Sequence, residues 1–235
     1  MRPLLVLLAA ASLPARADDP AAILAQYDRV MGPPHFQGTA VMTAHRPDGS
    51  ARAYEMRYWK SGDEKFRAAF DAPAAARGQE ILRNGDNFWV YMPNIKRAVR
   101  LAARESFMGG DFNNADVLRV NYSADYDAAL KEEGPDRWVL DLRSRNPSAA
   151  YDRILLTVHK GDHLPLEGRF YGASGKELRS AEFKEPRDFH GHRRPALVVM
   201  RNAIEPGRWS EMRIADFRVV PSIPGTTFVL TELGK

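Results

Sequence analysis

From Phe36 to Val220 the chain repeats one pattern: apolar side chains at every second position, broken by turn residues at intervals of about 8–12. Tyr54, Met56 and Tyr58 fall on one face and Glu55 and Arg57 on the other. Phe66 and Phe70 align, as do Trp138, Leu140 and Leu142 against Arg137, Asp141 and Arg143. Ile154, Leu156 and Val158 repeat the theme. Between the runs stand Pro47-Asp48-Gly49, Ser61-Gly62-Asp63, Asn84-Gly85-Asp86, Gly161-Asp162 and Gly172–Gly175. Asn-Gly tolerates the positive φ of a type I′ turn, so Asn84-Gly85 marks a tight hairpin. The count is about eleven strands, the spacing of an antiparallel barrel or sandwich. The fold class is therefore mainly β, with a small helical share. No fixed repeat and no linker divides residues 18–235, which read as one domain.

Two short helices interrupt the strands. Asp18-Asp19-Pro20 offers a capping carboxylate followed by proline near the first helical position. Ile23, Leu24, Tyr27, Val30 and Met31 then form one apolar stripe, ended by Gly32-Pro33-Pro34. Further on, Gly109-Gly110 breaks the strand pattern, and Asn113 or Asn114 caps a helical turn through Leu118. One helix of this size cannot cover the apolar face of so many strands. Either the sheet curls and fills itself, or it keeps a cavity. Tyr54, Met56, Tyr58, Phe66, Phe70, Trp89, Tyr91, Phe107, Met108 and Trp138 are large, adaptable side chains suited to a variable apolar ligand. They suit an ordinary core equally.

The first 17 residues read as a secretory leader: Arg2, an apolar run from Leu4 to Ala11, and Ala15-Arg16-Ala17 at the cleavage position. No other stretch approaches the ~20 apolar residues of a membrane helix. The chain contains no cysteine, which excludes both a disulfide framework and an acyl-cysteine anchor on the protein itself. Its net charge is +4, and two of those charges, Arg2 and Arg16, lie in the leader. That balance is far from the concentrated basic charge of a nucleic-acid binder. Lys96, Arg97 and Arg100 do form a local basic patch, readable as edge protection or as a surface for anionic headgroups. Arg187 and Arg193-Arg194 form a second, with the same two readings.

Catalytic devices are scarce. There is no Gly-x-Ser-x-Gly elbow, and Gly172-Ala173-Ser174-Gly175-Lys176 lacks the first glycine and the Ser or Thr of a phosphate loop. His190 and His192 would share a strand face, and His159 and His163 flank a turn, but a metal needs three or four converging ligands. No cofactor is expected. Glu132-Glu133 beside Gly134-Pro135 reads as an exposed turn.

One segment carries a family resemblance. Asp86-x-x-Trp89-Val90-Tyr91-Met92-Pro93, Lys96-Arg97, Ser106-Phe107-Met108-Gly109-Gly110-Asp111-Phe112, then Asp116 and Leu118, resembles the signature of LolA-like outer-membrane lipoprotein-sorting proteins. A weaker echo lies in Ile214-Ala215-Asp216-Phe217 and Phe228. The resemblance implies an unclosed antiparallel barrel wrapped around the N-terminal helix and a short plug helix, working as a non-catalytic periplasmic carrier. It implies acyl chains of lipids or lipoproteins as cargo, loaded by an inner-membrane transporter and released to an outer-membrane acceptor. Contact with membranes would be transient. The lipid-contacting residues would be Tyr54, Met56, Tyr58, Phe66, Phe70, Trp89, Tyr91, Phe107, Met108, Phe112, Trp138 and Leu140, with Lys96, Arg97 and Arg100 meeting headgroups or the partner. Two other readings stay open: a filled barrel that binds envelope proteins, and an enzyme with a polar cluster inside the cavity.

Overall fold

The architecture follows from a sheet whose strands nearly all pair with their neighbours in sequence. In the computed structural model, which describes residues 18–119 and 121–235, thirteen antiparallel strands form one sheet. The expected leader, residues 1–17, lies outside the described residues. One half is a meander of β1 (His35–His45), β2 (Ala51–Ser61), β3 (Lys65–Ala72), β4 (Glu80–Asn84), β5 (Asn87–Met92) and β6 (Arg97–Leu101). The other half runs through β7 (Tyr126–Glu133), β8 (Arg137–Ser144), β9 (Arg153–His159), β10 (Pro165–Tyr171), β11 (Glu177–Phe189), β12 (His192–Asn202) and β13 (Trp209–Val219). The halves join where β1 pairs with β13, leaving β6 and β7 as unpaired edges. The sheet is therefore open.

The seam needs a glycine. A Cβ at Gly38 would collide with Asp216 O and the Tyr58 hydroxyl, so only a bare backbone lets Tyr58 cross there. At the hairpin between β4 and β5, only Gly85 has positive φ, the pattern of a II′ rather than the expected I′ turn.

The strand count exceeds the expected eleven. The strand with no counterpart in the sequence reading is β7, Tyr-Asp-Ala-Ala-Leu-Lys-Glu-Glu, whose Ala, Leu, Lys and Glu favour helix. Pairing with β8 on one side fixes it as an edge strand, mostly exposed. The expected turn at Glu132-Glu133 is the end of this strand.

Helix α1 (Pro20–Met31) starts as its sequence requires: Asp19 accepts from Ala21 N–H at 3.0 Å, and Pro20 opens the first turn. Its stripe of Ile23, Leu24, Tyr27 and Met31 is buried against the curled sheet, in contact with β7 and β12. Between the two edges runs the plug, a 3-10 turn at Phe107–Gly109 and α2 (Asn114–Leu118). Asn113 and Asp116 cap α2 reciprocally, each side chain accepting from the other's backbone N–H at 2.8 Å. The main core is the concave face of both halves closed by α1 and the plug. A smaller core sits on the opposite face, where Ile223, Phe228 and Leu233 of the C-terminal segment pack on Leu82, Trp59, Trp89 and Tyr91.

Candidate functional site

The concave face encloses an apolar cavity of about 130 Å³. Strand alternation builds its wall: Met56 and Tyr58 from β2, Phe66 from β3, Phe183 from β11, Val198 and Met200 from β12, Met212 and Ile214 from β13. Tyr27 and Met31 of α1 close one side, and Phe112 and Tyr122 of the plug region another. Four methionines among the lining side chains make a wall that can be reshaped at low cost.

Of the side chains that sequence singled out, Met56, Tyr58, Phe66 and Phe112 line this cavity. Tyr54, Phe70, Phe107, Trp138 and Leu140 belong to the same buried cluster without lining the space, and Met108 packs against its edge. Tyr54 and Met108 also border a shallow cleft beside Arg46 and Gly109. Trp89 and Tyr91 are elsewhere. Their cross-strand partners are Leu82 and Glu80, so they point to the outer face and are covered by the C-terminal segment. On β5 it is Phe88 and Val90 that face inward. Lys96 sits in the exposed turn before edge strand β6 and Arg97 and Arg100 on that strand, all three exposed and away from the cavity lining. Arg100 donates to Asn87 Oδ1 and lies 5.9 Å over the Trp89 ring.

Polar contacts hold both covers shut. Lys60, buried on the concave face, donates to the carbonyls of Gly32 (3.1 Å) and Pro33 (3.0 Å) at the C-terminus of α1. Asp28 of α1 accepts from the N–H groups of Tyr122 (2.9 Å) and Ser123 (2.8 Å). His192 Nε2 donates to Val30 O at 2.7 Å, and Trp138 Nε1 to Asp18 at 2.9 Å. Burial raises the Asp28 carboxyl, against the bonds from Ser123 and Tyr122, and burial lowers the Lys60 ammonium. The plug is tied down separately. Buried Asp111 accepts from Ser210 Oγ (2.9 Å) and Asn202 Nδ2 (3.1 Å), while Arg83 donates to Leu118 O at 3.3 Å. Burial brings the Arg83 guanidinium down to about 10.

Three charged groups line the cavity among the described residues: Asp116, Arg119 and Arg194. Arg119 pairs with Asp125 at 3.0 Å and with Asp86. Asp116 accepts from the Tyr151 hydroxyl at 2.9 Å, and burial raises its carboxyl to about 6, against the Asn113 N–H, the Arg179 charge and that hydroxyl. Arg194 lies with its guanidinium carbon 4.1 Å over Phe217, and burial lowers its pKa, against the nearby phenols of Tyr58 and Tyr27. Burial also raises Tyr58 to about 12. The sequence places Arg194 in a basic patch, Tyr27 and Met31 on the apolar stripe of the first helix and Ile214 in the C-terminal echo, and marks none of them, nor Met200 or Met212, as a ligand contact. Arg194 shares its period-two face with Ala196, Val198 and Met200, and that alternation was the available signal.

The histidine pairs do not converge. His190 and His192 flank the β11–β12 turn, one bonded to Asp216 at 2.8 Å and the other to Val30. His159 meets Asp162 at 2.8 Å. No group of three His, Cys, Asp or Glu side chains able to hold a metal occurs among the described residues.

An open thirteen-stranded sheet curled around one helix, with a plug between its edges, recurs in known structures. The LolA superfamily protein of Nitrosomonas europaea superposes with a TM-score of 0.82 at 28% identity, over 91% of this chain and 98% of that one. The chain belongs to the LolA-like family. A DUF1329 family protein from Desulfovibrio piger shares the fold at 20% identity, with a TM-score of 0.83 over 92% of this chain and 100% of that one. A domain from Vibrio parahaemolyticus described as an outer membrane lipoprotein-sorting protein does so at 21% identity, with a TM-score of 0.78 over 92% and 98%. A model for a family described as uncharacterized protein matches residues 62–235. No curated protein matches. Among the described residues, no helix of this LolA-like chain is long and apolar enough to cross a membrane.

Proposed function

We propose that this LolA-like chain is a non-catalytic periplasmic carrier that binds acyl chains of lipids or lipoproteins and moves them from the inner to the outer membrane. The carrying observation is the apolar, methionine-rich cavity closed by two covers, α1 and the plug, each held by a few polar contacts. At about 130 Å³ the space is below the ~300–1,000 Å³ of a typical ligand site, so loading requires α1 to swing out or the methionines to repack. Each methylene then shielded contributes ~0.8 kcal/mol, which for a long chain exceeds the few hydrogen bonds broken. Met56, Tyr58, Phe66 and Phe112 would touch the chain first, and Tyr54, Phe70, Phe107, Met108, Trp138 and Leu140 as the cavity widens. Lys96, Arg97 and Arg100 would meet anionic headgroups, a loading transporter or an acceptor.

The test is mass spectrometry of an organic extract of the protein purified from the periplasm without detergent. A lipid at near-stoichiometric amount is the expected result; a clean extract, with no uptake of added lipid by the folded protein, removes the carrier reading. The small cavity volume favours one competitor, a filled module that binds envelope proteins, and the clean extract would put that reading first.

A further inference from the structure

Arg194 differs from the other charges around the cavity. It is 9% exposed, and its Nε and Nη1 are buried with no hydrogen-bond partner among the described residues. The side chains facing it are Tyr27 from α1, Tyr58 from β2 and Phe217 from β13, with His192 beside it on its own strand. None is a carboxylate. The nearest acid on α1, Asp28, is already engaged with the N–H groups of Tyr122 and Ser123. The Phe217 ring returns part of the desolvation cost through a cation–π contact, but leaves Nε and Nη1 with nothing to donate to among the described residues.

An uncompensated buried cation is among the costlier features a core can hold, and folded proteins pair such groups or avoid them. Here it lines a cavity whose other wall positions are almost all apolar. The arrangement is complementary to an amphiphile: an apolar tail for Met56, Met200 and Met212, and an acceptor for the guanidinium fork. A carboxylate matches that fork with two parallel hydrogen bonds, and a phosphate monoester matches it comparably.

We propose that Arg194 is the headgroup site of the cavity, which takes a single-chain anionic amphiphile with its carboxylate or phosphate inward against the guanidinium and its tail along the methionines. This rests on the carrier reading and narrows it. A ligand whose chains enter alone, with the polar part left outside, gains nothing from Arg194. A fatty acid or a lysophospholipid-like monoester gains the pairing that the protein itself withholds.

The experiment is equilibrium binding of a pyrene-labelled fatty acid, its methyl ester and the corresponding alkyl phosphate to the wild type, Arg194→Met and Arg194→Lys. Charge-assisted pairing predicts about ten- to a hundredfold tighter binding of the acid or the phosphate than of the ester by the wild type. Arg194→Met should erase that preference while keeping ester binding, and Arg194→Lys should keep part of it. The acid-to-phosphate ratio identifies the headgroup. Equal wild-type binding of acid, phosphate and ester overturns the headgroup site and leaves the carrier standing. So does an acid preference that survives in Arg194→Met. Failure of the wild type to take up any of the three overturns carrier and headgroup site together. Should Arg194→Met not fold, the wild-type ratio and Arg194→Lys still decide.

Discussion

Arg67 and Arg194 lie on opposite faces of one sheet, the first partly buried and paired, the second buried and, among the described residues, without a partner. On the outer face, Arg67 Nη2 lies 2.5 Å from Glu80 Oε2 and Arg67 Nη1 donates to Thr227 O at 3.0 Å, while its Nε has no hydrogen-bond partner among the described residues. Those contacts tie the C-terminal segment to the face that carries Trp59, Trp89 and Tyr91. On the concave face, Arg194 meets rings, open space and two phenols. The difference teaches how to tell a structural charge from one held in reserve. Both are surrounded by aromatics; what separates them is whether the chain supplies the counter-charge.

The contrast can be broken from the outer side first. Glu80→Leu removes the counter-charge of Arg67 and leaves it only the Thr227 carbonyl, and should destabilise the protein by about 3 kcal/mol in urea unfolding. Next comes pH. The Asp116 carboxyl, raised to about 6 by burial, is protonated in the folded chain at pH values where the unfolded chain has already released that proton. Its contribution therefore favours folding below pH ~4 and is lost as pH rises to ~6, a change of about 2–3 kcal/mol at most. Asp116→Asn should flatten that part of the stability–pH curve. An unchanged slope would assign the pH dependence to other groups.

On the concave side the sign reverses. Arg194→Met in the unliganded protein should gain about 1–2 kcal/mol, visible as a rise in Tm, because it removes an unpaired charge rather than a contact. A loss of similar size would mean that the aromatic surround satisfies the guanidinium and that Arg194 is structural after all. The smallest effect belongs to the edge hairpin. Arg100→Ala breaks an exposed contact and should change stability by less than about 0.5 kcal/mol. Any role of that patch should then show in transfer to anionic vesicles alone.

How far the sequence revealed this depends on whether one face or two are covered. Along β2 and β8, alternation separated wall from solvent directly, because the far side of Tyr54, Met56, Tyr58, Trp138 and Leu140 is mostly charged, with Glu55, Arg57, Arg137 and Asp141. Caps were nearly as plain: Asp19 and Pro20 open α1 as expected, and of the two candidate caps Asn113 and Asn114 it is Asn113 that caps α2, with Asp116 as its reciprocal partner. At β5 the same rule gave no direction, since Phe88 and Val90 face the main core while Trp89 and Tyr91 face the C-terminal segment. Two apolar faces carry no arrow, and the aromatics Trp89 and Tyr91 lie on the outer one, beside the C-terminal segment. Strand β7 was hidden because its residues prefer helix and only β8 makes them extended. Arg194 was hidden by its own charge, which suggested a wet surface although its neighbours two residues apart are apolar.

The seam between β1 and β13 has a consequence for how the molecule comes into being. Every other ladder joins strands that follow one another in the chain, so hairpins on either side can zip up early with little loss of loop entropy. The central ladder, with Phe36 opposite Val219, is the exception. It must wait for the last strand to be delivered, and until then two half-sheets expose their concave faces to whatever is near. Assembly thus has a natural order: local meanders first, then a late zip down the middle that creates the cavity and encloses Arg194 in a single step.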